Sequence, residues 1–132
     1  MIVVDSSVWI DFFNGRPTVQ ADALHELLGE RPVVVGDLIL TEVLCGFRSD
    51  ADFQQVKSLL ESCEFRPMAG KEVALAAASN YRALRKVGIT VRKTIDMLIG
   101  SYCLMHCLPL LHADRDFDAL AEYLGLIVWE GE

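Results

Sequence analysis

Apolar positions along this chain alternate between short unbroken runs and runs spaced for one face of a helix. Met1 to Val4, Val33 to Val35 and Pro109 to His112 are short apolar stretches, the way strands buried on both faces read. Between them the spacing is helical. Val8 to Phe13 follows Asp5, Ser6 and Ser7, three natural capping residues. After the break at Gly15 and Pro17, Thr18 to Leu28 sets Val19, Leu24, Leu27 and Leu28 on one face. Leu38 to Phe47 is apolar with a helical spread, and Glu42 is its one internal charge. Asp50 to Glu61 turns Phe53, Val56, Leu59 and Leu60 inward, and Cys63 to Pro67 fits a further short strand. Lys71 to Val87 is an Ala-rich helix closed by Gly88. Thr94 to Met105 is apolar nearly all round, which predicts a central helix. Asp116 to Leu124 reads as helix and Leu126 to Trp129 as a final strand.

Alternating β and α units of this length predict an α/β fold, with a mainly parallel sheet of four or five strands sandwiched between helices. In such open sheets ligands bind beyond the carboxyl ends of the strands, where the strand order reverses. The residues just after each strand are therefore the ones that matter for chemistry.

Composition bounds this picture without changing it. A chain of 132 residues, 52% hydrophobic and 23% charged, fits one globular domain over residues 1–132. At that size it needs neither disulfide nor metal merely to fold. No linker, repeat or low-complexity tract interrupts it. There is no basic start followed by a long apolar stretch, and no run of the roughly eighteen apolar residues that a membrane span needs. A cytoplasmic protein away from membranes is expected. The four cysteines, Cys45, Cys63, Cys103 and Cys107, lack the paired spacings of a zinc knuckle or a redox pair, so free and mostly buried thiols are expected.

Charge sharpens the question. A formal net charge of −7 argues against a protein that grips nucleic acid through a basic coat. It is compatible with carboxylates gathered in one cleft, which must either hold cations or shift their pKa values. Asp5 ends the first strand, Glu42 lies a helical turn beyond the second, and Asp114 follows the Pro109 to His112 strand, so all three fall on one sheet edge. Taken singly, each also fits a structural role: Asp5 as cap of the first helix, Asp114 or Asp116 as cap of the last, Glu42 on an exposed helix edge. Asp96 differs. It is the only charged residue from Thr94 to Met105, inside an apolar helix that offers it no cap or solvated face, and burying it alone costs several kcal/mol. Four acids on one edge, without His or Cys, favour a hard cation such as Mg²⁺ or Mn²⁺ over zinc. One or two such ions suit phosphodiester hydrolysis. The one basic window runs from Arg82 to Lys93 and carries Arg82, Arg85, Lys86, Arg92 and Lys93 with no acid; it reads either as a solvated face or as a strip for a polyanion.

Four stretches together resemble the PIN-domain nucleases, most closely the VapC-type toxins of toxin–antitoxin pairs. They are IVVDSSVWIDFF with Asp5, LILTEVLCGF with Glu42, VRKTIDMLIGSYC with Asp96 and LLHADRDFDALA with Asp114, in the family's order across the whole chain. The resemblance implies a three-layer α/β/α fold and Mg²⁺- or Mn²⁺-dependent endonucleolytic cleavage of single-stranded RNA. It makes Asp5, Glu42, Asp96 and Asp114 the acidic quartet, adds Asp116 as a further metal acid, and gives Ser6 the role of orienting metal-bound water. Asp5, Asp96 and Asp114 then hold one Mg²⁺, Glu42 completes its shell or binds a second, and Arg85, Lys86, Arg92 and Lys93 bind RNA. Many relatives carry Thr or Ser plus Asn before the fourth acid; here His112 and Ala113 stand there, and His112 is placed to supply part of that hydrogen bonding. The resemblance further implies a homodimer, a heterotetramer or larger with a cognate antitoxin, and an antitoxin tail over the acidic groove. Trp9, Phe12 and Phe13 either anchor such a tail or belong to the core.

Three competing readings differ in their residues. A phosphoacceptor receiver needs an acid pair after its first strand and a Lys after its last, and a haloacid-dehalogenase-like phosphatase an Asp-x-Asp opening and a late Lys; this chain has neither late Lys. A PIN fold that binds RNA without cutting it would not need the intact quartet.

Overall fold

The computed structural model describes residues 1–131. Its sheet has four strands, β1 (Ile2–Val4), β2 (Val33–Gly36), β3 (Glu64–Arg66) and β4 (Leu110–Leu111), in the order β3-β2-β1-β4. Every pairing is parallel, with Val3 opposite both Val34 and Leu110. β1 and β2 are buried along their whole length, as a strand covered on both faces must be. The expected final strand, Leu126 to Trp129, shrinks to one parallel bridge, Leu110 to Val128. Its remaining hydrogen bonds go to β4 at Leu110 and back to Leu120 in the helix before it, so it closes the edge without extending the sheet.

Helices fill the crossovers: α1 (Ser6–Phe13), α2 (Val19–Leu27), α3 (Asp37–Leu44), α4 (Asp50–Glu61), α5 (Lys71–Lys86), α6 (Thr94–His106) and, after a 3-10 turn at Arg115–Phe117, α7 (Asp118–Leu124). α1 packs on α2 and α3, and α3 on α4; α5 packs on α6 and α7. Right-handed crossovers explain the two sets. The chain steps from β1 to β2 to β3 in one direction, then returns past β1 to β4, which puts the later helices on the opposite face. The strand order therefore reverses between β1 and β4, and a crevice opens at their carboxyl ends.

Local chemistry starts the helices where the sequence signals them. The side chains of Asp5, Thr18 and Ser49 each accept a hydrogen bond from a first-turn amide. Three expectations need correction, for Val19, the thiols and Asp96, and the open alternative for Trp9 is settled. Val19, expected inward, is 82% exposed; Ala21, Leu24 and Leu27 form the buried face, because α2 begins at Val19 and its first position swings outward. Trp9 is wholly buried and stacks on Phe13, so it belongs to the core. The thiols are not mostly buried: Cys103 is, Cys63 is half-buried, and Cys45 and Cys107 are exposed at helix ends. Asp96 lies in the first turn of α6, not mid-helix.

α6 is central, as its composition predicts, and it approaches α7 closely at Gly100. A methyl group added there would collide with Leu120 Cδ2. Leu120 is itself fully buried. Gly100→Ala should therefore lower stability by about 1–3 kcal/mol, against the usual helix-favouring sign of this substitution. Chemical denaturation checks it, and an unchanged midpoint would mean the two helices can part. Among the described residues no helix is long and apolar enough to cross a membrane.

Candidate metal centre

The exits of β1 and β4 are stitched together by one hydroxyl. Asp5 leaves β1 and caps α1, its Oδ2 accepting from the Ser7 amide at 3.0 Å and from the Ser7 hydroxyl at 2.6 Å. Ser7 Oγ in turn accepts from the Ala113 amide, just beyond β4, at 3.1 Å. Asp5 thus serves as cap with one oxygen, while its Oδ1 is buried with no hydrogen-bond partner among the described residues. The structural reading of this residue, as cap of the first helix, is met, and one oxygen is left over.

Beyond β4 the chain turns through Asp114, whose Oδ1 accepts from the Asp116 amide at 2.9 Å and so opens the 3-10 turn. Its Oδ2 holds the Lys93 ammonium at 2.9 Å. Asp116 Oδ1 lies 3.7 Å from the Arg92 guanidinium, and its Oδ2 is buried and unpartnered among the described residues. Asp96 faces the same space from α6. It is 3% exposed, and its Oδ2 is also buried without a partner among the described residues. One carboxylate oxygen from each of Asp96, Asp114 and Asp116 lies within 4.8 Å of the others. Glu42 completes the rim from α3, half-buried, accepting from the Ser6 hydroxyl at 3.0 Å.

Electrostatics binds these acids into one group. Burial drives the Asp96 carboxyl up, and the charges of Asp5 and Asp114 push it further, to about 7; Lys93 opposes the rise. Its place at the amino end of α6 favours the anion, yet desolvation and like charge outweigh the helix dipole. Burial likewise raises Asp5 and Glu42, against the hydrogen bonds from Ser7 and Ser6. Asp114 goes the other way: burial alone would raise it, but the Asp116 amide and Lys93 hold it below its usual range. A cluster with one carboxyl driven up beside another held down, and with orphaned buried oxygens, lacks positive charge. Its donors are all oxygen, the set a hard divalent cation takes.

His112 Nδ1 accepts the Asp114 amide at 3.2 Å, and its ring packs on Phe117 with centroids 5.0 Å apart. Burial lowers its pKa, and because Nδ1 accepts from the amide the proton of the neutral ring belongs on Nε2. It thereby fixes the backbone of the turn that carries Asp114. The basic window divides in two. Arg82, Arg85 and Lys86 line a shallow concavity at the end of α5, whereas Arg92 and Lys93 face the acids themselves. Sequence spacing pointed to neither that division nor Ser7; a hydroxyl two residues after a strand-ending acid was the available signal.

The sequence profile of the PIN domain matches residues 2–123. Over 131 residues, covering 96% of each chain, the sequence is 30% identical to Ribonuclease VapC11 of Mycobacterium tuberculosis and equally to the VapC ribonuclease Mb1587 of Mycobacterium bovis. Its fold is similar to that seen in VapBC-5 of Mycobacterium tuberculosis, a member of the VapBC family of toxin–antitoxin systems, with a TM-score of 0.68, 24% identity and 98% of each chain covered. It is also similar to VapBC2 of Rickettsia felis bound to a promoter DNA fragment, with a TM-score of 0.77, 15% identity and full coverage of both chains.

Proposed function

This chain belongs to the PIN-domain family, and from that premise we propose that it is a VapC-type endoribonuclease toxin that cuts single-stranded regions of RNA with Mg²⁺, or Mn²⁺ in its place. The observation that carries the reading is the convergence of Asp96, Asp114 and Asp116, with two of their oxygens buried and unpartnered among the described residues. These three acids would hold the ion, with Asp5 beside them and Glu42 at the rim. A divalent ion there supplies Lewis acidity toward a phosphoryl oxygen and makes hydroxide accessible near neutral pH.

The chain's own residues do the rest. The Ser6 hydroxyl points Glu42 at the site, leaving its second oxygen to accept a proton or a water hydrogen. Ser7 locks Asp5 against the β4 exit, and His112 holds the Asp114 turn, so the acids keep their places while charge builds on the substrate. Arg82, Arg85 and Lys86 offer a row of cations to the RNA backbone away from the acids. Replacing Arg85 or Lys86 by Ala should lower RNA affinity and reduce the slope of log K against log salt by about one each. Filter binding across a salt series measures it, and an unchanged slope would move the RNA path elsewhere.

The partner we propose is a cognate antitoxin whose basic tail lies in the acidic cleft, on a homodimer that forms a heterotetramer or larger with it. Support comes from the VapBC complexes among the similar structures and from the uncompensated carboxylates, which attract a cationic side chain as they attract a metal. Cleavage of a mixed RNA pool by the purified chain, with and without chelator, tests the enzyme reading; metal-independent cleavage, or none, would defeat it.

A further inference from the structure

Lys93 and Arg92 sit where a basic strip should turn toward RNA, yet they turn toward acids. The Lys93 ammonium is 2.9 Å from Asp114 Oδ2, while the other oxygen of Asp114 is taken by the Asp116 amide. The carboxylate that joins the metal cluster therefore has both oxygens engaged, one by backbone and one by an exposed ammonium. Arg92 repeats the pattern at a longer range, 3.7 Å from Asp116 Oδ1. Both side chains are mostly exposed, Arg92 at 72% and Lys93 at 57%, so each can swing out without disturbing the core.

Resting on the metal-dependent reading above, we propose that Lys93 is a built-in surrogate cation: it neutralises Asp114 in the metal-free protein, competes with the divalent ion for that carboxylate, and is displaced when the ion enters. Three facts carry it. The short contact falls on a cluster acid and not on a bystander. Asp96 and Asp116 keep buried oxygens free among the described residues, so the cluster is already open on two sides and closed on the third by Lys93. Lys93 is the residue just before α6, at its N-cap, with no side-chain cap bond of its own, so nothing in that helix start requires a lysine. An ammonium and a divalent ion sharing one carboxylate repel each other at close range, where screening is weakest. Release frees the ammonium at the lip of the site, on a stem long enough to meet a phosphate oxygen.

The test is divalent-ion affinity, read by calorimetric titration of Mn²⁺ into the full chain without RNA. Lys93→Met should bind Mn²⁺ about tenfold more tightly than the native chain, a change of the size that neighbours of metal ligands produce. Lys93→Arg, which keeps the charge, should return affinity close to native. Lys86→Met removes the same charge from the end of α5 and should shift affinity far less. Equal or weaker Mn²⁺ binding by Lys93→Met overturns the proposal, as does an equal gain from Lys86→Met, which would mark a diffuse charge effect. If Asp96→Asn binds Mn²⁺ as well as the native chain does, the metal centre itself is misplaced and the functional reading falls separately.

Discussion

Replacing Asp96 by Asn should remove RNA cleavage while making the metal-free protein more stable. The amide keeps the shape of the carboxylate and drops its charge. Cleavage should fall at least about 100-fold, the loss typical of removing one preorganised charge from a reacting centre. Stability should move the other way. Asp96 is 3% exposed and surrounded by Asp5, Asp114 and Glu42, so its charge is unfavourable until a cation arrives. Thermal unfolding without metal should show the variant melting about 5 °C higher at pH 8. A residue that only supports the fold would lose activity and stability together, and that joint loss would count against a metal-binding role.

The second large effect is the pH dependence of that gap. The carboxyl of Asp96 is raised from 3.8 to about 7, so between those values the folded protein keeps a proton that the unfolded chain has released. Its contribution to stability is then fully present below about pH 4 and is lost as pH rises through 7. Asp5 and Glu42 are raised too and act in the same direction, whereas Asp114 and His112, both lowered, favour the folded state at higher pH. The native profile alone mixes these signs. The difference between native and Asp96→Asn isolates one group: it should be near zero below about pH 4, widen between pH 4 and 7, and level off above pH 7. Mn²⁺ at pH 8 should close it by raising the native melting temperature and leaving the variant's nearly unmoved. A gap that is flat with pH would mean Asp96 is ionised throughout.

Much of this site was legible in the residues because strand ends and charge isolation are local signals. Asp5 follows three apolar residues in β1, and Asp96 is the lone charge in an apolar helix, so both stood out before any packing was known. What spacing could not give was geometry across elements. That Asp116 joins Asp96 and Asp114 more closely than Asp5 or Glu42 does depends on the 3-10 turn at Arg115–Phe117, which appears in sequence only as part of a helix. The direction taken by Lys93 likewise depends on how the segment before α6 meets the turn after β4, a contact 21 residues apart. The same limit explains Leu126 to Trp129. Its unbroken apolar run fits a strand, but Gly125, in the left-handed conformation that ends α7, delivers it to the edge of a two-residue β4, and one bridge is all that edge can pair. Cys107 ends α6 with a positive φ of 53°, a conformation that sequence would assign to glycine.

The most direct test of the account is single-turnover cleavage of RNA by the purified chain in Mg²⁺ or Mn²⁺, then with excess chelator, then with metal restored. Asp96→Asn should be run alongside to exclude a contaminating nuclease. Discrete internal cuts should stop with the chelator, return with the metal and be missing in the variant. Cuts that persist in chelator, or that Asp96→Asn makes equally well, would contradict it.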